Sequence, residues 1–188
     1  RLVGSEMCIR DRPKYVEKEE MPSIGFTPDS KFPLIYSEKG LLQCKLIGKN
    51  ESGMKFKGGD AFNSVPSSIV VEDDKELAKI LKELNYEFKE HDGKIEIIGK
   101  SVHAQVAEEG INAINRYLHA LEKLGRSSKA GKFVEENLIG YDFAEPIFGN
   151  IEDEHSGKLK FNLGKIEFND DEELSLIHIS EPTRRVVI

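Results

Sequence analysis

The sequence predicts an α+β fold in which an antiparallel sheet carries helices on one face. Two observations lead there. Strand-like and helical stretches are segregated into hairpins plus helices, without the regular strand–helix–strand alternation of a parallel sheet. Two stretches also place apolar residues along one helix face, the first at i, i+3, i+4 and i+7.

Pro13 to Gly40 is dense in loop signals (Met21-Pro22, Thr27-Pro28-Asp29-Ser30, Phe32-Pro33) and ends in a short strand-like piece, Leu34-Ile35-Tyr36. It has too little apolar periodicity to fold alone and reads as the last loop and strand of a preceding domain. Regular patterning starts at Leu41. Leu41 to Gly48, Lys55 to Asp60 and Ser67 to Glu72 read as strands, the last rich in β-branched residues (Ile69, Val70, Val71). Asp73 or Asp74 then caps a helix bearing Leu77, Ile80, Leu81 and Leu84. Tyr86 to Glu90 and Lys94 to Gly99 form a hairpin around His91-Asp92-Gly93, because Asp-Gly favours tight turns with positive φ. A second helix opens near Gly110, carries Ile111, Ile114, Leu118 and Leu121 on one face, and ends at Gly125. Glu108-Glu109 suits the dipole at its start. Lys129 to Leu138 is a shorter third helix. Lys158 to Phe168 holds two strand-like runs meeting at Gly164.

The chain has 188 residues, 38% hydrophobic and 32% charged, enough for one domain with a real core. Its net charge of −7 disfavours nucleic-acid binding, since an acidic surface repels phosphates. No apolar run reaches membrane-spanning length. The two cysteines, Cys8 and Cys44, have no disulfide or metal spacing, and the cytoplasm is the expected compartment.

The two ends differ in character from the rest. Residues 1–12 (RLVGSEMCIRDR) and 174–188 (LSLIHISEPTRRVVI) resemble peptides translated from a sequencing adapter at the edge of an assembled read. They are expected to be non-native. The alternative for the second is a terminal strand, Leu176 to Ile179, followed by a basic tail.

Three short motifs carry chemistry. Phe26-Thr27-Pro28-Asp29 sets a carboxylate on a proline-shaped loop. Its hard oxygen suits zinc or manganese, although a Pro-Asp turn bonded to local backbone is the commoner use. Asn63-Ser64-Val65-Pro66 places an amide at a turn before a strand. Gly99-Lys100-Ser101-Val102-His103-Ala104 holds a histidine between a strand and a helix, where it stays free of the core; the plain alternative is polar surface with Ser101 as a cap.

In their order and spacing these motifs resemble the metal-dependent dipeptidase PepV family, of the aminoacylase and carboxypeptidase type of two-metal peptidases. The matching text runs from YVEKEEMPSIGFTPDSKFPLIYSEKG through GGDAFNSVP and GKSVHAQVAEEGINAINRYL to LKFNLGKIEFNDDE. The resemblance implies residues 13–40 as a remnant strand and loop of an α/β catalytic domain and 41–173 as a ferredoxin-like lid domain. It implies Asp29 as a metal ligand, His103 as the lid residue that stabilises the oxyanion, and Asn63 as a substrate contact. It further implies two zinc or manganese ions in the intact enzyme, a dipeptide substrate, and room for a homodimer through the lid. The family's His-x-Asp motif, bridging aspartate, Glu-Glu pair, late histidine ligand and substrate-binding arginine have no match. The chain is therefore expected to be a fragment that binds no catalytic metal and hydrolyses nothing. A related amide deacylase, or a stand-alone α+β binding or dimerisation module, are the competing expectations.

Overall fold

The computed structural model describes residues 17–20, 39–154 and 156–181. Residues 17–20 are exposed and belong to an N-terminal unit, residues 1–36, separate from the body formed by residues 37–188. Leu34-Ile35-Tyr36 and the Thr27-Pro28-Asp29 motif lie outside the described residues.

The body is α+β with antiparallel sheets, as expected. Its strands are β1 (Gly40–Lys49), β2 (Phe56–Gly58), β3 (Ser68–Glu72), β4 (Phe88–His91), β5 (Lys94–Ile98), β6 (Glu152–Asp153), β7 (Gly157–Lys158), β8 (Lys160–Phe168) and β9 (Glu172–Glu181). Its helices are α1 (Lys75–Glu83), α2 (Ala113–Lys123), α3 (Lys129–Asn137) and the single turn α4 (Glu145–Phe148), with a 3-10 segment over Ala104–Glu109. The strands are not one sheet. A four-stranded sheet has the order β1-β9-β8-β2, a three-stranded sheet the order β3-β5-β4, and β6-β7 is a small ribbon. The division falls after β2, where Gly59 takes φ +77° and Pro66 supplies no N–H to continue a ladder.

Local chemistry explains most boundaries. The Asp74 carboxylate caps α1 by accepting from the Glu76 and Leu77 amides at 2.9 and 3.2 Å. Arg126 binds the same carboxylate and reaches Glu76 at 2.9 Å, holding Asp74 below the usual carboxylate range. Asp92 and Gly93, at φ +50° and +71°, make the tight turn between β4 and β5. Asn112 caps α2, so that helix starts two residues beyond Ile111, which is 40% exposed and pairs with Lys100 instead. β8 is one strand with a bulge between Leu163 and Lys165, where the sequence suggested two runs.

The core is one cluster shared by both large sheets. From α2 it takes Ile114, Leu118 and Leu121; from β3 and β5, Ile69, Ile95 and Ile97; from β8 and β9, Leu163, Ile166, Ile177 and Ile179. Phe56 stacks on Phe168 and meets Tyr117 edge-on. β9 runs through the boundary expected at residue 173. Residues 174–181 pair with β1 on one side, residues 174–180 pair with β8 on the other, and Leu176 to Ser180 are all buried. The strand-forming character of Leu-Ser-Leu-Ile-His-Ile is sufficient for that pairing.

Candidate functional site

Of the three candidate site residues, two are brought together. The loop after β2 carries Asn63 and the loop after β5 carries His103, and an isolated bridge links Ser64 to His103. Val65 donates its amide to the Val102 carbonyl at 2.9 Å, and Ala104 donates to the Asn63 carbonyl at 2.9 Å. These reciprocal bonds fix the two loops in register. Asn63 and His103 are both exposed, while their neighbours Val65 and Ala104 are buried. Asp29 lies outside the described residues.

Glycines allow the loops to lie this close. A side chain at Gly164 would meet the Ala61 and Phe62 carbonyl oxygens at 2.6 and 2.8 Å, and one at Gly99 would meet those of Ile111 and Pro66 at 2.2 and 2.9 Å. The loop bearing His103 is closed at its base by a Lys100–Ile111 pair, with amide-to-carbonyl distances of 2.8 and 3.0 Å in the two directions. At its far end Glu108 forms an ion pair with Lys160 on β8. Glu108 therefore ties the 3-10 segment to the sheet, where the sequence suggested a partner for the dipole of the next helix.

The same chemistry orients the imidazole. His103, and not Ser101, caps the 3-10 segment, and its Nδ1 accepts from the Gln105 amide at 3.2 Å. In the neutral ring an accepting Nδ1 leaves the proton on Nε2. The exposed side of the ring is then a hydrogen-bond donor. No sequence signal reveals this, because histidine is an uncommon cap.

A polar layer lies under the two loops on β8 and β9. Asn162 and His178 are register partners, as are Lys160 and Ser180. His178 is buried; its Nε2 lies 3.1 Å from the Ser180 hydroxyl, and its Nδ1 has no hydrogen-bond partner among the described residues. Burial lowers its pKa, and the nearby charge of His103 adds to that. The neighbouring Lys39 donates to the Lys158 carbonyl, and burial followed by repulsion from Lys160 lowers its pKa. Among the described residues, no three His, Cys, Asp or Glu side chains converge to hold a metal ion. The described residues therefore do not fit a metal centre by themselves.

Comparison with known proteins finds distant relatives that are named as dipeptidases. No family model matches the chain. The chain is 28% identical over 185 residues to a protein of Staphylococcus aureus (strain bovine RF122 / ET3-1) named "Putative dipeptidase SAB1611c", covering 84% of this chain and 39% of that protein. Its counterpart in strain USA300 matches with the same identity and coverage, as does that of strain MW2. The chain spans about two fifths of the length of the curated relatives it matches.

Proposed function

We propose that this chain is the lid portion of a PepV-like metallodipeptidase, with His103 as the oxyanion donor and Asn63 as a substrate contact. The observation that carries the proposal is the strapping of these two residues into one exposed loop pair, with the Nε2–H of His103 free to donate. Hydrolysis of a peptide bond builds negative charge on the carbonyl oxygen as water adds. A preorganised N–H aimed at that oxygen stabilises the transition state more than the substrate. The amide of Asn63 can bind a polar group of the same dipeptide from the adjoining loop. The distant similarity to proteins named as dipeptidases supports the substrate class. The two zinc or manganese ions, with Asp29 among their ligands, belong to the proposal for the whole enzyme. A cytoplasmic location belongs to it as well; no helix among the described residues is long and apolar enough to cross a membrane.

The test is substitution in the uninterrupted enzyme. His103→Ala should lower kcat on a dipeptide with a free amino end by ~10²–10³-fold, the usual cost of one oxyanion donor, with a smaller change in KM. Near-normal kcat would remove the assignment. Faster cleavage of N-acyl amino acids than of dipeptides would favour the related deacylase.

A second reading, a homodimer through the lid, is favoured by β1. Its outer edge has no strand partner among the described residues, and Leu41 and Ile47 are each 62% exposed. A second copy is the occupant it suits. A two-fold axis at Cys44 would set Leu42 opposite Leu46, Leu41 opposite Ile47, and Lys45 opposite Gln43, with like charges meeting only at the ends, where Lys49 faces Lys39.

A further inference from the structure

We propose that Asn162, a buried residue of β8, is the positioning residue of the Asn63–His103 pair; the proposal rests on the functional reading above. Asn162 is 3% exposed and sits beneath the loops rather than in them. Its Nδ2 donates to two carbonyls that flank Asn63, those of Phe62 at 3.2 Å and Ser64 at 2.8 Å. Its Oδ1 accepts from Nδ2 of Asn112 at 3.3 Å. Asn112 is itself committed. It donates to the Leu163 carbonyl at 2.8 Å, and its Oδ1 accepts from the Ile114 and Asn115 amides at 3.0 and 3.2 Å as the cap of α2.

Asn162 thus spends both amide protons on one short loop, and its acceptor is supplied by a residue pinned to the start of a buried helix. A polar side chain this deep survives only when its groups are paired, so the geometry is stiff. The rigid body reaches the reactive side chains by a short path. Asn162 fixes Phe62 and Ser64; the Asn63 carbonyl between them accepts from Ala104; and Val65 donates to Val102. His103 lies between Val102 and Ala104, so its backbone is set by a loop that Asn162 holds from below. No other side chain donates to the carbonyls of residues 61–66 among the described residues. Elsewhere the contact of this loop with β8 is the backbone approach at Gly164.

The experiment uses this chain and needs no activity. Asn162→Leu keeps the branching and heavy-atom count of the side chain and removes all three hydrogen bonds. Val134→Ala, in the buried face of α3 and away from the loops, is the control for general loss of packing. Amide hydrogen exchange at Val65 and Ala104 should rise about tenfold or more beyond the control, as expected for loss of buried hydrogen bonds. The ring proton resonances of His103 should move toward those of a free histidine in Asn162→Leu and stay in place in Val134→Ala. Should Asn162→Leu fail to fold, Asn112→Asp retains the cap oxygen for α2 and removes the donor to Asn162 and Leu163; it should shift the same signals in the same direction, by less. Unchanged Val65 and Ala104 exchange and an unmoved His103 ring, in whichever variant folds, would overturn the positioning role. Loss of the dipeptidase reading alone would show as normal turnover in His103→Ala with these signals still responding to Asn162.

Discussion

His119 is a buried residue whose proton bears on stability. It lies buried on α2, with Nδ1 2.7 Å from the Tyr86 hydroxyl and Nε2 3.4 Å from Glu135, which also binds Lys123 at 2.7 Å. A neutral ring suits this arrangement: Nδ1 accepts from the tyrosine, and the Nε2 side faces the carboxylate without completing a hydrogen bond to its Oε2. Burial lowers its pKa below the ordinary 6.5, outweighing the pull of Glu135. Above pH 6.5 the ring is neutral in both folded and unfolded chain, and its contribution is fully present. As pH falls below 6.5 the unfolded chain takes the proton first, so stability declines. Urea unfolding between pH 8 and pH 5 should show this loss, and His119→Gln should flatten it; an unchanged slope would move the linkage to buried His178, shifted in the same direction. Asp74 works in the same sense at lower pH, since hydrogen bonding from Arg126 lowers its pKa and its contribution disappears only in acid. Asp74→Ala removes the α1 cap and should cost ~1 kcal/mol at neutral pH by the same measurement.

At the scale of elements, two devices place the candidate site. The first is the backbone approach between the loop after β2 and the bulge of β8. A Cβ at Gly164 would lie 2.6 Å from the Ala61 carbonyl oxygen, and backbone cannot swing aside as a long side chain can. Gly164→Ala should therefore lower the melting temperature and displace the amide signals of residues 59–66 more than those of α3; uniform small shifts would contradict this. The second is the pair of hydrogen bonds between the Asn63 and His103 loops. The β1 edge makes its own prediction. Leu46→Lys should shift sedimentation of a concentrated sample toward the monomer, and oxidation should link Cys44 to Cys44 in the parent chain; a monomer at all concentrations would remove the dimer reading.

For the whole molecule, the shared core makes the body one cooperative unit, while the chemistry assigned to it needs parts beyond the described residues. The isolated chain should release no amino acids from dipeptides with added manganese or zinc, measured by amine release. Measurable turnover would overturn the proposal that this chain is a portion of an enzyme.

Local chemistry written in the sequence determined the helix over 75–83, the Asp92-Gly93 hairpin and the long strand at β1, because a cap, a positive-φ turn and apolar periodicity act within a few residues. The same information placed Asn63 and His103 on loops. Only tertiary structure decided that those loops meet, that His103 becomes a cap presenting Nε2–H, and that Asn162 supports the pair from β8. It also decided that the strands divide into two large sheets and that residues 174–181 enter one of them as an inner strand. Each of these depends on groups far apart in the chain, and hydrogen bonds and close backbone approach leave no periodic trace in the sequence between them.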